Sequence, residues 1–117
     1  MTDLAEAIYA VLRARVDRAA SLPLTYQDLI VELPRSFRDV SARSPDLSAA
    51  LGEVVSECHT HGLPALSAMV VTSANGRPGQ GYYAVAHPRA LTEDDKKRAW
   101  EQELAGIPGK NYPYRLD

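Results

Sequence analysis

Three amphipathic helices, two short β-prone runs around a glycine-rich turn, and a capped fourth helix predict an α+β domain. In that order they describe a winged helix-turn-helix, three helices plus a β-hairpin wing, with an added C-terminal helix. The first observation is the helical spacing of apolar residues over residues 3–20 and 45–61. The second is the switch after Leu63-Pro64 to a first strand, Leu66-Ser67-Ala68-Met69-Val70-Val71-Thr72-Ser73, rich in β-branched residues and too short to be another bundle helix. The third is the turn cluster from Ala74 to Gln80, followed by Gly81-Tyr82-Tyr83-Ala84-Val85-Ala86, which reads as a returning strand and closes an antiparallel hairpin with a long tip.

The elements follow in order. Leu4, Ile8, Val11, Leu12 and Val16 share one face of a first helix, with Thr2 as its cap. Pro23 biases Leu22 toward extended geometry, and Leu22 with Leu24 supply a very short strand. Thr25 and Asp28, three residues apart, form a capping box for a second helix over residues 26–33 that buries Leu29, Ile30 and Leu33. Pro34 stops it, and a basic connection runs to Arg43. Ser44 as cap and Pro45 at the first helical position open a third helix, in which Leu47, Leu51, Val54, Val55 and Cys58 keep register until Gly62 ends it. Thr92, followed by Glu93, Asp94 and Asp95, starts the last helix, which rests on the domain through Trp100 and Leu104. Residues 1–105 thus make one domain, and residues 106–117 an extended tail whose Tyr112 and Tyr114 either dock or await a partner.

The motifs Leu24-Thr25-Tyr26-Gln27-Asp28-Leu29, Ala49-Ala50-Leu51-Gly52 and Leu63-Pro64 before Val70-Val71 resemble the winged-helix half of alkylguanine-DNA alkyltransferases and their alkyltransferase-like relatives. The resemblance spans residues 24–85 and implies a DNA-binding fold. That family carries its acceptor thiol in a Pro-Cys-His-Arg motif, and this chain has Pro64-Ala65-Leu66-Ser67 there, so alkyl transfer is not implied. The arginine that the family presents at the start of its recognition helix has Arg43 as its nearest counterpart.

Composition sets limits on function. The chain has 117 residues, 45% hydrophobic and 24% charged, which supports a core and excludes a disordered chain. A formal net charge of −2 excludes a histone-like coating of nucleic acid by charge alone. No stretch approaches the roughly 18 apolar residues of a membrane span, and the N-terminus lacks a signal-peptide pattern. With a single cysteine, Cys58, no intrachain disulfide can form, so a cytoplasmic protein is expected.

Within the near-neutral total the charges are segregated. Residues 35–43 hold three arginines and one acid, whereas residues 44–76 hold three acids and neither lysine nor arginine. The outward positions of the third helix, Asp46, Ala49, Gly52, Glu53, Ser56, Glu57 and Thr60, are therefore acidic and small. Two non-enzymatic functions follow. Binding of nucleic acid, as duplex DNA, would use Arg35, Arg38 and Arg43 of the connection and Arg77 at the wing tip to contact phosphates. The alternative is a protein-interaction module, an adaptor, assembly factor or inhibitor, using Glu53, Glu57, Tyr112 and Tyr114.

No catalytic set is expected. Cys58 and His61 lie one helical turn apart and could share a metal, but Cys58 completes an apolar stripe and structural zinc usually needs four ligands. Gly76-Arg77-Pro78-Gly79-Gln80-Gly81 lacks the lysine and the following helix of a phosphate-binding loop. Tyr82 and Tyr83, on opposite faces of a strand, would leave one ring free to stack. No cofactor and no metal are expected.

Overall fold

The structure is a computed structural model that describes residues 1–18, 23–37, 39–41 and 44–116. Five α-helices carry it: α1 Asp3–Asp17, α2 Tyr26–Glu32, α3 Pro45–Thr60, α4 Gln80–Ala86 and α5 Glu93–Gly106. Two two-residue strands, β1 Leu24–Thr25 and β2 Val70–Val71, pair in parallel with Leu24 opposite Val70 and Thr25 opposite Val71.

The helix starts follow local chemistry. The Thr2 hydroxyl accepts the Ala5 N–H at 3.2 Å, and the Ser44 hydroxyl accepts the Asp46 N–H at 3.2 Å ahead of Pro45. At α2 the Thr25 hydroxyl accepts from Asp28 N–H at 3.1 Å, while the Asp28 carboxylate accepts from Thr25 N–H at 3.4 Å, which completes the box. Thr92 caps α5 by accepting from Asp95 N–H at 3.1 Å. Gly62, at φ +70°, follows α3 in the left-handed conformation that glycine adopts without a Cβ penalty.

The predicted winged helix-turn-helix is not what folds. No hairpin forms among the described residues: the run before the turn breaks into a 3₁₀ turn, Leu66–Met69, and the two-residue β2, which pairs with β1 instead. The segment expected as the returning strand is α4. Burial explains this. Tyr82 and Tyr83 are both buried, and at about 100° per residue one broad side of a helix takes both rings against the domain, whereas a hairpin strand would send them to opposite faces and need cover on each. No ring of this pair is therefore left free to stack.

The core lies where α1, α3 and the 3₁₀ turn meet. Ile8 and Leu12 of α1, Leu47, Val54, Val55 and Cys58 of α3, and Leu66 and Met69 are all fully buried there. Trp100 of α5 closes one side, its indole N–H donating to the Ala68 carbonyl at 2.8 Å. The tail is docked: Ile107 and Leu116 are buried, and the Tyr112 hydroxyl donates to the Pro64 carbonyl at 2.7 Å. The Tyr9 hydroxyl donates to the Pro113 carbonyl, and Arg13 Nε donates to the Tyr112 carbonyl at 3.0 Å.

Candidate functional site

Helix α4 decides what the surface of α3 can offer. It packs alongside α3 through small residues: a Cβ added at Gly52 would lie 3.4 Å from Val85 Cγ2, and one added at Gly81 only 2.9 Å from Ser48 Oγ. The acidic outward face of α3 is thus partly covered by the chain itself. Gly52, Glu53 and Glu57 are half-buried, while Asp46, Ala49, Ser56 and Thr60 are exposed.

Two shallow grooves border what remains open. One, of about 470 Å³, lies between α3 and α4, lined by Ser48, Gly52, Ser56, Glu57, Ala84 and Val85. The other, of about 320 Å³, lies between α3 and the segments carrying Leu4, Phe37 and Val40, with Asp46 at its rim. Ala49 and Glu53 line both, so the two grooves flank one acidic ridge. No lysine or arginine lines either groove among the described residues. Val85 is 42% exposed, and the Glu53 carboxylate accepts the Thr2 N–H at 2.8 Å, which ties the ridge to the start of α1.

The basic residues are placed differently. Arg77 closes the loop after β2, its carbonyl accepting the Thr72 N–H at 2.8 Å and its own N–H donating to Asn75 Oδ1 at 3.0 Å. Arg35 is exposed on a 3₁₀ turn, Arg35–Phe37. Arg38 and Arg43 lie outside the described residues. Beside the Arg77 loop is an uncharged cleft of about 200 Å³, lined by the hydroxyl-bearing residues Tyr26, Ser44, Ser48 and Thr72 together with apolar Leu51 and Val70. Ser67 is buried there, donating to the Leu51 carbonyl at 2.8 Å, and the Gly79 N–H donates to the Tyr26 hydroxyl at 3.2 Å. Of the two tail tyrosines, Tyr112 is buried in its own domain. Tyr114 is 79% exposed with the Arg13 guanidinium 5.5 Å from its ring centroid.

The densest polar cluster was not foreseen. Glu103 of α5, its side chain 7% exposed, meets four polar groups from the end of α3, from Ala65 and from α4 with its C-cap. Oε2 accepts the Ala65 N–H at 3.0 Å and meets His59 Nε2 at 2.5 Å; Oε1 accepts the Tyr82 hydroxyl and meets His87 Nε2 at 3.1 Å. Burial pushes the Glu103 carboxyl up, but the Ala65 N–H, the Tyr82 hydroxyl and His59 outweigh it and hold it below its ordinary value. Tyr82 is pushed up by burial and by the carboxylate it serves. Both carboxylate oxygens are committed, so the cluster is a junction that fastens α5 to the end of α3, to Ala65 and to α4.

The cysteine and histidines at the end of α3 do not converge. Cys58 is fully buried, and burial raises its thiol to about 11. His59 turns to Glu103, whereas His61 Nδ1 meets the Glu57 carbonyl at 2.8 Å. No group of three or more His, Cys, Asp or Glu suited to a metal occurs among the described residues. No helix of the described residues is long and apolar enough to cross a membrane. No protein-family model, curated protein or solved structure matches the chain.

Proposed function

We propose that the protein is a non-enzymatic interaction domain that takes a basic amphipathic segment of a partner protein across the exposed face of α3. The observation that carries this reading is the acidic ridge of α3 with an apolar-floored groove on each side. Asp46, Glu53 and Glu57 supply charge without a compensating base among the groove residues. Ala49, Gly52, Ala84 and Val85 on one side, and Leu4, Phe37 and Val40 on the other, offer shallow apolar contact. A partner helix with alternating basic and aliphatic turns matches both features, as in helix-in-groove recognition. Charge complementarity of this kind governs encounter and partner choice more than final affinity.

The probe is a helical lysine–leucine peptide, with a scrambled peptide of the same composition as control, titrated by calorimetry. The expected result is binding that weakens with salt, drops at least about tenfold in the Glu53→Lys/Glu57→Lys variant, and is weaker for the scrambled peptide. Equal binding of both peptides, or an unaffected double variant that remains folded by circular dichroism, would overturn the reading.

A second reading has one observation in its favour: the uncharged cleft of mixed polar and apolar residues lies beside Arg77, so a nucleic acid could place phosphates on that arginine and Arg35 and a polar group in the cleft. Fluorescence anisotropy with short duplexes at low salt separates the two. Duplex binding that is lost in Arg35→Ala/Arg77→Ala, with the peptide inert, supports the nucleic-acid reading.

A further inference from the structure

Asn75 is followed by Gly76 in the exposed loop between β2 and α4, and the loop is closed by bonds that converge on the Asn75 side chain. Asn75 Oδ1 accepts from the Thr72 hydroxyl at 2.7 Å and from the Arg77 N–H at 3.0 Å. The Thr72 N–H donates to the Arg77 carbonyl at 2.8 Å, and Gly76 N–H donates to the Thr72 carbonyl at 3.0 Å. Gly76 sits at φ +69°, and an added Cβ there would meet nothing within 4 Å. Glycine at this position brings no side chain to crowd its own amide nitrogen.

We propose that this turn is a self-modification site, in which the Gly76 amide nitrogen attacks Asn75 Cγ while Thr72 Oγ1 and the Arg77 N–H stabilise the oxygen that becomes negative. Two donors already at hydrogen-bond distance from the carboxamide oxygen are the arrangement that lowers the barrier to a tetrahedral intermediate at that carbon. The step balances without an oxidant or cofactor. Hydroxide removes the Gly76 N–H proton and becomes water, the N–Cγ bond forms, and the Cγ–NH₂ bond breaks as water protonates the leaving nitrogen, releasing ammonia, returning hydroxide and leaving a five-membered succinimide. Water then opens either carbonyl of that ring, giving aspartate or its iso-linked isomer. The product places a carboxylate two residues from Arg77 and exchanges the acceptor of the Thr72 hydroxyl, a group that lines the cleft.

The competing effect is the bond from Gly76 N–H to the Thr72 carbonyl, which must open before attack. The test is built to decide between the two. The whole chain is held in mildly alkaline buffer, folded or in urea, and peptide mass spectrometry follows replacement of NH₂ by OH at Asn75. Asn111, followed by Tyr112, serves as the internal reference, being the other asparagine of the chain. The expected result is faster conversion of Asn75 folded than in urea. Thr72→Val is expected to slow it about tenfold, less than loss of such a donor costs in a water-excluded site, and Thr72→Ser to leave it unchanged. Conversion no faster in the folded chain than in urea would overturn the proposal, as would a Thr72→Val variant, shown to be folded, that converts at the original rate.

Discussion

Replacing Glu103 tests the junction that fastens α5 to the rest of the domain. Alanine at this position removes the acceptor from the Ala65 N–H, the Tyr82 hydroxyl, His59 and His87 together. Hydrogen bonds to a charged group contribute about 1.5–3 kcal/mol each when buried, and breaking a buried charged pair from one side costs about 3–5 kcal/mol. His59 is too exposed to add much, so Glu103→Ala should lose about 3–5 kcal/mol, carried by the Ala65 and Tyr82 donors. Glutamine is milder for a specific reason. Its carbonyl can serve Ala65 while its NH₂ donates to the Tyr82 oxygen, and the Tyr82 hydroxyl can turn to His87 Nε2, 3.0 Å away. A loss of about 1–2 kcal/mol is expected there, from the missing charge. Urea unfolding followed by circular dichroism at neutral pH measures both. The pH dependence has a defined sign. A carboxyl held below its ordinary value of 4.5 contributes stability that is complete above that value and is lost as pH falls through the lower folded one. The gap between the native chain and Glu103→Gln should accordingly narrow on acidification below about 4.5. A Glu103→Ala variant within about 0.5 kcal/mol of the native chain would refute the reasoning, because surface substitutions fall in that range.

Two further outcomes follow from the same packing. Gly81→Ala should gain less than the roughly 1 kcal/mol that alanine has over glycine in a helix, since its Cβ would lie 2.9 Å from Ser48 Oγ and that exposed side chain must turn away; adding Ser48→Ala should recover the gain, as read by denaturant midpoints. Cys58, fully buried with its thiol raised to about 11, should react with a thiol reagent at neutral pH only at the rate of opening of the core, and stoichiometrically in denaturant.

What the amino-acid sequence makes legible is local. Thr2, Thr25 with Asp28, Ser44 with Pro45, and Thr92 each bond the backbone a few residues away, so the spacing alone locates the helix starts. The same holds for Gly62 at the end of α3. Helix α4 is the opposite case. Tyr82, Tyr83 and Val85 favour strands, glycines flank them, and Gly79 at the cap offers no side chain. Burial of both rings against the domain overrides that preference, and a seven-residue helix has little propensity to outweigh. With the wing goes the main structural reason for placing α3 in a groove of DNA.

The Glu103 junction was illegible for another reason: its members, residues 59, 65, 82, 87 and 103, form no motif. One signal was present. Glu103 is three residues after Trp100 and four before Ile107, on the face of α5 that both bury, and a carboxylate in that position calls for buried partners. The acidic character of α3, by contrast, is plain in the sequence, and the structure adds the grooves that flank it.

Residues 80–86 carry the account, because their helix shapes one groove beside α3 and supplies Tyr82 to Glu103. The most direct measurement is the NMR assignment of this segment, with nuclear Overhauser contacts from Gly81 and Val85. Helical Cα shifts over residues 80–86, with contacts from Gly81 to Ser48 and from Val85 to Gly52, are the predicted result. Extended shifts, with cross-strand contacts to residues 66–73, would contradict it.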